Sequence, residues 1–250
     1  NVWCAAGKGT FGTNELLRRV ATSRLAEIVD HRTLVVPQLG AVGVAAHDVA
    51  KGCGFRVVYG PVRASDLPAF LTAGMVATPV MRRVSFTAGE RLILTPVELT
   101  GFGLKPLGIA LALLLIGGLG PEIFSLSAAW SRGGTAILTG FAGLMAGAVL
   151  TPVCLPWIPG RAFALKGGLA GLAVAAASAA HYATELGHLN SLALCLALSA
   201  VSSYCAMNFT GSSTFTSPSG VEKEMRRFIP LQIIALLAAG IVWIVAAFQG

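Results

Sequence analysis

The run LKPLGIALALLLIGGLGPEIFSLSAA, residues 104–129, carries a single lysine and a single glutamate. A helix needs about 20 consecutive apolar residues to cross the roughly 30 Å hydrocarbon core of a bilayer, so the run reads as a first spanning segment, about 106–129. Four similar stretches follow, at about 135–158, 163–184, 189–209 and 228–248. The competing reading is a buried helical bundle in a large soluble protein. Five successive stretches this poor in charge argue against it. The abundance of glycine and alanine, as in GGLAGLAVAAASAA (167–180), suits helices that pack closely in lipid.

The composition agrees. Charged residues make up 12% of the 250 residues and apolar ones 55%. Residues 1–100 hold 11 Lys/Arg and 7 Asp/Glu, and residues 101–250 only 7 and 4. A more polar first part, 1–100, is therefore joined to a part that avoids charge, 101–250. The net charge of +7 forms no stripe interleaved with aromatics, which argues against a nucleic-acid partner. It suits an anionic inner leaflet. The cysteines, Cys4, Cys53, Cys154, Cys195 and Cys205, are odd in number and scattered, unlike a disulfide framework. Reduced thiols are expected. No secretory leader is seen, and the chain opens inside a motif, so residues upstream of Asn1 are expected.

The first hundred residues alternate between helical and extended patterns. Leu16, Leu17, Val20, Leu25 and Ile28 recur at helical spacing over 13–29, with Thr13 as candidate N-cap. TLVVP (33–37), FRVVYG (55–60) and RLILTP (91–96) read as strands, with helices at 41–51 and 65–74, the latter capped by Ser65 or Asp66. Such alternation predicts an α/β domain with a parallel sheet. Ligands in that class sit at strand C-termini, here PQLGAVG (37–43), YGPVR (59–63) and TPVE (95–98).

Positive charge orients the apolar part. With the N-terminal domain inside, the inner loops carry Arg161, Lys166, Lys223, Arg226 and Arg227, and the outer loops Arg132 alone. This predicts a multi-pass protein of the cytoplasmic membrane, its N-terminal domain cytoplasmic and its C-terminus outside.

The opening residues, Asn1-Val2-Trp3-Cys4-Ala5-Ala6-Gly7-Lys8-Gly9-Thr10-Phe11-Gly12-Thr13, form the most specific motif. The run resembles the cap-helix signature of the HgcA family of mercury-methylating corrinoid proteins. The resemblance continues through VVPQLGAVGVAAHDV (35–49), VVYGPVRASDLPAFL (57–71), RLILTPVE (91–98) and NFTGSSTFTSPSGVEKEM (208–225), and so covers nearly the whole chain. It implies a Rossmann-like α/β domain, similar to that of the corrinoid iron–sulfur protein, which holds a cobalamin-type corrinoid. It implies a methyltransferase that passes a methyl group from cobalt to Hg(II), forming methylmercury. The cysteine matching Cys4 is the family's lower axial cobalt ligand. A small ferredoxin-like iron–sulfur protein supplies electrons and is a candidate mercury carrier. The methyl donor is another protein or methyl-tetrahydrofolate. By the same analogy Asn1, Trp3, Cys4, Thr10, Val36, Pro37, Gln38, Leu39 and Gly40 contact the corrinoid, with Gly60, Pro61, Val62, Arg63, Thr95 and Pro96 as weaker candidates. Trp3 packs on the ring or in the core, and Arg63 pairs with a corrin side chain or tail phosphate, or is solvated.

The chemistry is coherent in itself. A thiolate is a soft, strong donor, and beneath cobalt it favours departure of the methyl group as a carbanion equivalent to a thiophilic metal. Lys8 is placed in sequence to lower the Cys4 pKa. Gly7, Gly9 and Gly12 lack the GxxxxGK[ST] spacing of a phosphate loop. The chain has no CxxC pair or iron–sulfur ligand set, so electrons come from elsewhere. Cys154 and Cys205 are expected toward the cytoplasmic side, as Hg(II) ligands or as small packing residues. His181, Glu185 and His188 are read as a polar cluster at the outer interface or a metal site, Glu122 as an intramembrane carboxylate, and His47 as a surface residue. The alternative function is a membrane corrinoid protein that serves another methyl acceptor. A non-catalytic transporter or anchor is the third class.

Overall fold

The computed structural model describes residues 12–101, 103–213 and 218–249. The chain divides into two compact units, Asn1–Ser85 and Phe86–Gly250.

In the first unit, helix α1 (Thr13–Thr22) is followed by a single turn, α2 (Leu25–Ile28). Arg24, with φ 48°, separates them and ends the expected continuous helix. Strand β1 (Thr33–Val36) runs through a 3-10 turn (Gln38–Val42) into α3 (Ala46–Cys53). Strand β2 (Arg56–Tyr59) pairs with β1 in parallel, Thr33 opposite Arg56 and Val36 opposite Tyr59. A short α4 (Leu67–Thr72) follows, with Asp66 at its N-cap position but no side-chain capping bond. Val36, Val44, Val49 and Val57 form the core, with Leu16 and Leu17 of α1 against it.

The Rossmann-like α/β expectation is corrected here. Among the described residues the parallel sheet has two strands, and the stretch read as its third strand, RLILTP, lies within helix α5 (Ala88–Thr100). The cause is a capping box. The Thr87 hydroxyl accepts from the Glu90 N–H at 3.3 Å, and the Thr87 N–H donates to Glu90 Oε2 at 2.7 Å. Pro96 within the helix has no N–H for the Leu92 carbonyl; the Thr95 hydroxyl donates to that carbonyl at 2.8 Å instead.

The second unit is otherwise helical. After α5 come α6 (Lys105–Gly117), a small antiparallel hairpin of β3 (Leu119–Gly120) and β4 (Ile123–Phe124), and α7 (Leu126–Val153). Then follow α8 (Phe163–His181), α9 (Ala183–Asn208), kinked at Gly187, and α10 (Pro218–Ala247). Among the described residues four helices are long and apolar enough to cross a membrane: Leu126–Val153, Phe163–His181, Gly187–Gly211 and Ser219–Ala247. The bundle of about five is corrected to these four plus the shorter apolar α6. The expected first and second segments, 106–129 and 135–158, are divided differently. The chain breaks at Gly118–Ser125 and stays helical through Arg132, in a π-helical stretch (Ala129–Gly133). Arg132 does not end the helix because its guanidinium donates to the Trp243 carbonyl at 2.7 Å and lies over the Trp243 ring, 5.2 Å from its centroid.

Two small-xxx-small pairs draw the bundle together. Gly143 and Gly147 of α7 and Gly167 and Gly171 of α8 lie against Leu198, Ser202 and Ala206 of α9 so closely that a Cβ on any of them would collide. The Ser202 hydroxyl donates to the Gly167 carbonyl at 2.7 Å.

Candidate functional site

The parallel pairing of β1 and β2 brings both strand C-termini to one edge. The Gly60 N–H donates to the Val36 carbonyl at 2.8 Å, so the two exit loops start side by side. Val36, Pro37, Gln38, Leu39 and Gly40 follow one strand, and Gly60, Pro61, Val62 and Arg63 the other. The first loop is closed by its own backbone, with Gly40 N–H donating to the Pro37 carbonyl at 2.8 Å and Val44 N–H to the Gly40 carbonyl at 2.9 Å. Glycine is required at Gly40 and Gly60 by close approach. A Cβ there would lie 2.9 Å from Val36 Cγ1 and from Val35 Cγ1 respectively. The Arg63 guanidinium donates to the Ser85 hydroxyl.

Gln38 stands out in this edge. Its Oε1 is buried and has no hydrogen-bond donor. An amide oxygen in that state costs about 1–3 kcal/mol. A buried polar atom in that state calls for a partner such as a water, an ion or a ligand.

The N-terminal motif joins this edge through its last residues. Gly12 is the N-cap of α1, so Thr13 is the first helical residue rather than the cap. Its side chain is used elsewhere: Thr13 Oγ1 accepts from the Ala45 N–H at 2.9 Å, and the Thr13 N–H donates to the Gly43 carbonyl at 3.2 Å. The Tyr59 hydroxyl donates to the Val44 carbonyl at 2.6 Å, tying β2 to the same segment. The chain that carries the motif therefore enters beside the 38–42 turn. Thr13's two partners, 30 and 32 residues away in sequence, have no local pattern from which to read them.

Asn1, Trp3, Cys4, Thr10 and Lys8 lie outside the described residues. Thr95 and Pro96 are not at a strand end. They lie in α5 of the second unit, where Thr95 is buried.

The remaining candidates are dispersed. Cys205 is buried on α9, against Gly147. Cys154 follows the end of α7, seven residues beyond Gly147 and roughly 10 Å further along the axis. The two thiols sit at different levels of the bundle. Cys53 donates its S–H to the Val49 carbonyl at 3.2 Å within α3, and Cys195 packs in the bundle core. Among the described residues no three His, Cys, Asp or Glu side chains gather to hold a metal. His181 is exposed and meets Tyr182 edge-on, and the Glu185 side chain lies outside the described residues. Glu122, Arg132 and His188 line an open cleft of about 760 Å³. His47 is exposed, 3.3 Å from Asp48. Compared with protein-family models, curated proteins and solved structures, the chain matches none.

Proposed function

We propose that this chain is a membrane-embedded, corrinoid-dependent methyltransferase that acts on Hg(II). One observation carries the reading. The Cys4-bearing motif leads into Thr13, which is anchored to Gly43 and Ala45, directly after the turn that holds the buried, unpaired Gln38 Oε1. The corrinoid reading rests on that edge and on the motif, without a Rossmann-like domain.

The donor set suits such a group. Corrin side chains are amides, and an amide N–H is the donor Gln38 Oε1 lacks. Val36–Gly40 and Gly60–Arg63 would flank the group with backbone and apolar surface, and Arg63 offers a cation. A bound corrinoid supplies a cobalt-held methyl group that can leave toward an electrophilic metal ion. Cys4 would hold the cobalt through a soft sulfur donor, which requires the thiolate. Hg(II) is the substrate, and Cys154 or Cys205 would be a soft stopping point for it. Reducing equivalents come from a ferredoxin-like iron–sulfur partner, and the methyl group from a separate donor.

Topology follows from charge. The ends of the four long helices alternate, so the ends of α7 and α9 and the starts of α8 and α10 lie at one end of the bundle. Arg161, Lys166, Lys223, Arg226 and Arg227 belong to that end, and Arg132 to the other. The positive end is cytoplasmic.

The deciding experiment is methylmercury formation by the purified protein with its reductant partner and a methylated corrinoid. Wild type should produce methylmercury and Cys4→Ala should not. Equal production by the variant sinks the axial-thiolate role. Cobalt retention with transfer only to another acceptor favours the broader one-carbon reading. A preparation without cobalt leaves a transport or anchoring role.

A further inference from the structure

We infer that the cleft at the end of the bundle opposite Arg161 and Lys166 is a phospholipid headgroup site. Arg132 takes the phosphodiester and Glu122 a primary ammonium, the chemistry of phosphatidylethanolamine. The inference rests on reading the four long helices as membrane spans and is independent of the corrinoid edge.

The cleft is built from the β3–β4 hairpin, the start of α7, the start of α9 and the end of α10. Gly120 of β3 stands opposite Ile123 of β4, so Pro121 and Glu122 are the two turn residues between them. Proline suits the first of these positions, and the turn leaves Glu122 exposed at the hairpin tip. A Cβ on Gly118 would collide with the Phe124 ring, so glycine lets the hairpin close on itself. Gly120 lies against the Ala247 carbonyl at the end of α10. Gly187, with φ 66°, turns the chain into α9, which brings His188 to the facing wall. The open volume is about 760 Å³, against about 300–1,000 Å³ for small-molecule sites.

Two observations point to a ligand. The first is an unbalanced charge. Arg132 lines the cleft half-buried, and its guanidinium donates to the Leu119 carbonyl at 3.4 Å and to the Trp243 carbonyl at 2.7 Å. Carbonyls accept hydrogen bonds but bring no net charge, and a guanidinium has five N–H groups to place. Among the described residues no carboxylate forms an ion pair with it. A cation drawn out of water within a membrane bundle calls for a counter-charge. Glu122 lines the same cleft without pairing with Arg132, so the site offers a cation and a carboxylate that do not neutralise each other. A zwitterion satisfies both.

The second observation is strain. Ile123, next to Glu122, has φ 67°, a conformation that a β-branched residue adopts only under constraint. Strain of this kind collects at ligand clamps.

The surroundings favour a lipid over a soluble zwitterion. Leu119, Phe124, Leu189 and Ala246 give the cleft apolar walls, along which acyl chains can lie. Trp130 and Leu126, close by on α7, are exposed, as side chains at the headgroup level of a bilayer are. A guanidinium matches phosphate oxygens with paired N–H donors, and the His188 ring can add another. A primary ammonium can donate to Glu122, whereas the quaternary ammonium of a choline headgroup has no N–H to give.

The test reconstitutes the full chain in vesicles of equal parts phosphatidylethanolamine and phosphatidylcholine. The chain is then extracted in mild detergent, and the retained lipid is counted by native mass spectrometry. Wild type should keep one phosphatidylethanolamine, several-fold above phosphatidylcholine. Arg132→Gln should lower retention of both lipids, but it also loses the bond to the Trp243 carbonyl and can disturb the bundle. Glu122→Gln, an exposed change at a hairpin tip, therefore carries the decision: it should bring phosphatidylethanolamine down to the phosphatidylcholine level. No preference in wild type, or an undiminished preference in Glu122→Gln, overturns the inference. Displacement of the lipid by millimolar free phosphoethanolamine would make the ligand a soluble zwitterion and overturn the lipid assignment. Flotation of the chain with the vesicles on a density gradient is the control. A chain that does not float removes the membrane reading as well, whereas one that floats without the preference removes this inference alone.

Discussion

Gln38 concentrates the residue-scale argument. Its amide oxygen is buried without a donor, in the turn that follows β1 and beside the entry point of the Cys4 motif. If a corrin amide provides that donor, Gln38→Leu removes a hydrogen bond worth about 1–1.5 kcal/mol, or roughly tenfold in corrinoid affinity. Folding should not suffer, since no protein donor is lost. Equilibrium cobalt retention beside far-ultraviolet circular dichroism separates the two, and unchanged retention removes Gln38 from the site. Glu15 makes a second case. Its carboxyl, bonded to Arg18 and Arg19 at 2.7 Å, is held at about 2 rather than 4.5, chiefly by the Arg18 and then the Arg19 hydrogen bond. A lowered carboxyl pKa favours the folded state above the unfolded value and loses that favour as pH falls toward the folded one. Amide-exchange protection of α1 should therefore decline between about pH 4.5 and pH 2, and Glu15→Gln should flatten this decline. The pair is solvent-exposed, so the effect is small.

At the scale of elements, α5 is the instructive case. RLILTP looks extended because leucine, isoleucine and threonine dominate it and proline ends it. The decisive residues lie just outside: Thr87 and Glu90 form the capping box that starts a helix. Thr87→Ala should cost about 1 kcal/mol and fray the first turn of α5, seen as faster amide exchange at Gly89–Arg91. Unchanged exchange would mean that packing of Arg91 and Leu94, not the cap, sets the helix start. The short strands at 33–36 and 56–59 were legible because hydrophobic runs between turn residues leave few alternatives. The break between the first two apolar segments was not. Arg132 and its neighbouring glycines look like a loop, and the tertiary bonds of Arg132 to the Trp243 and Leu119 carbonyls are not visible in the local sequence. The candidate site was legible in the same uneven way. The two loops do follow parallel strands, whereas Thr95 and Pro96 stand in a helix rather than at a strand end.

For the whole molecule, the split of charge between the two parts of the chain foretold a bilayer-compatible second part, since composition survives errors of boundary. The arrangement of that part depends on glycines whose role appears only when helices meet. Gly171 of α8 faces Leu198 and Ser202 of α9 with no room for a side chain, whereas Gly240 of α10 has open space where a Cβ would go. Gly171→Leu and Gly240→Leu make the same change in composition and hydrophobicity. Only the first must push α8 from α9 and break the Ser202–Gly167 hydrogen bond. Overpacking of this kind costs about 1–3 kcal/mol. In lipid there is little hydrophobic drive to restore the contact once the helices separate. Thermal unfolding in vesicles should therefore show a clearly lowered midpoint for Gly171→Leu and a wild-type midpoint for Gly240→Leu. Equal midpoints for the two variants would mean that the α8–α9 approach is not what holds the bundle together.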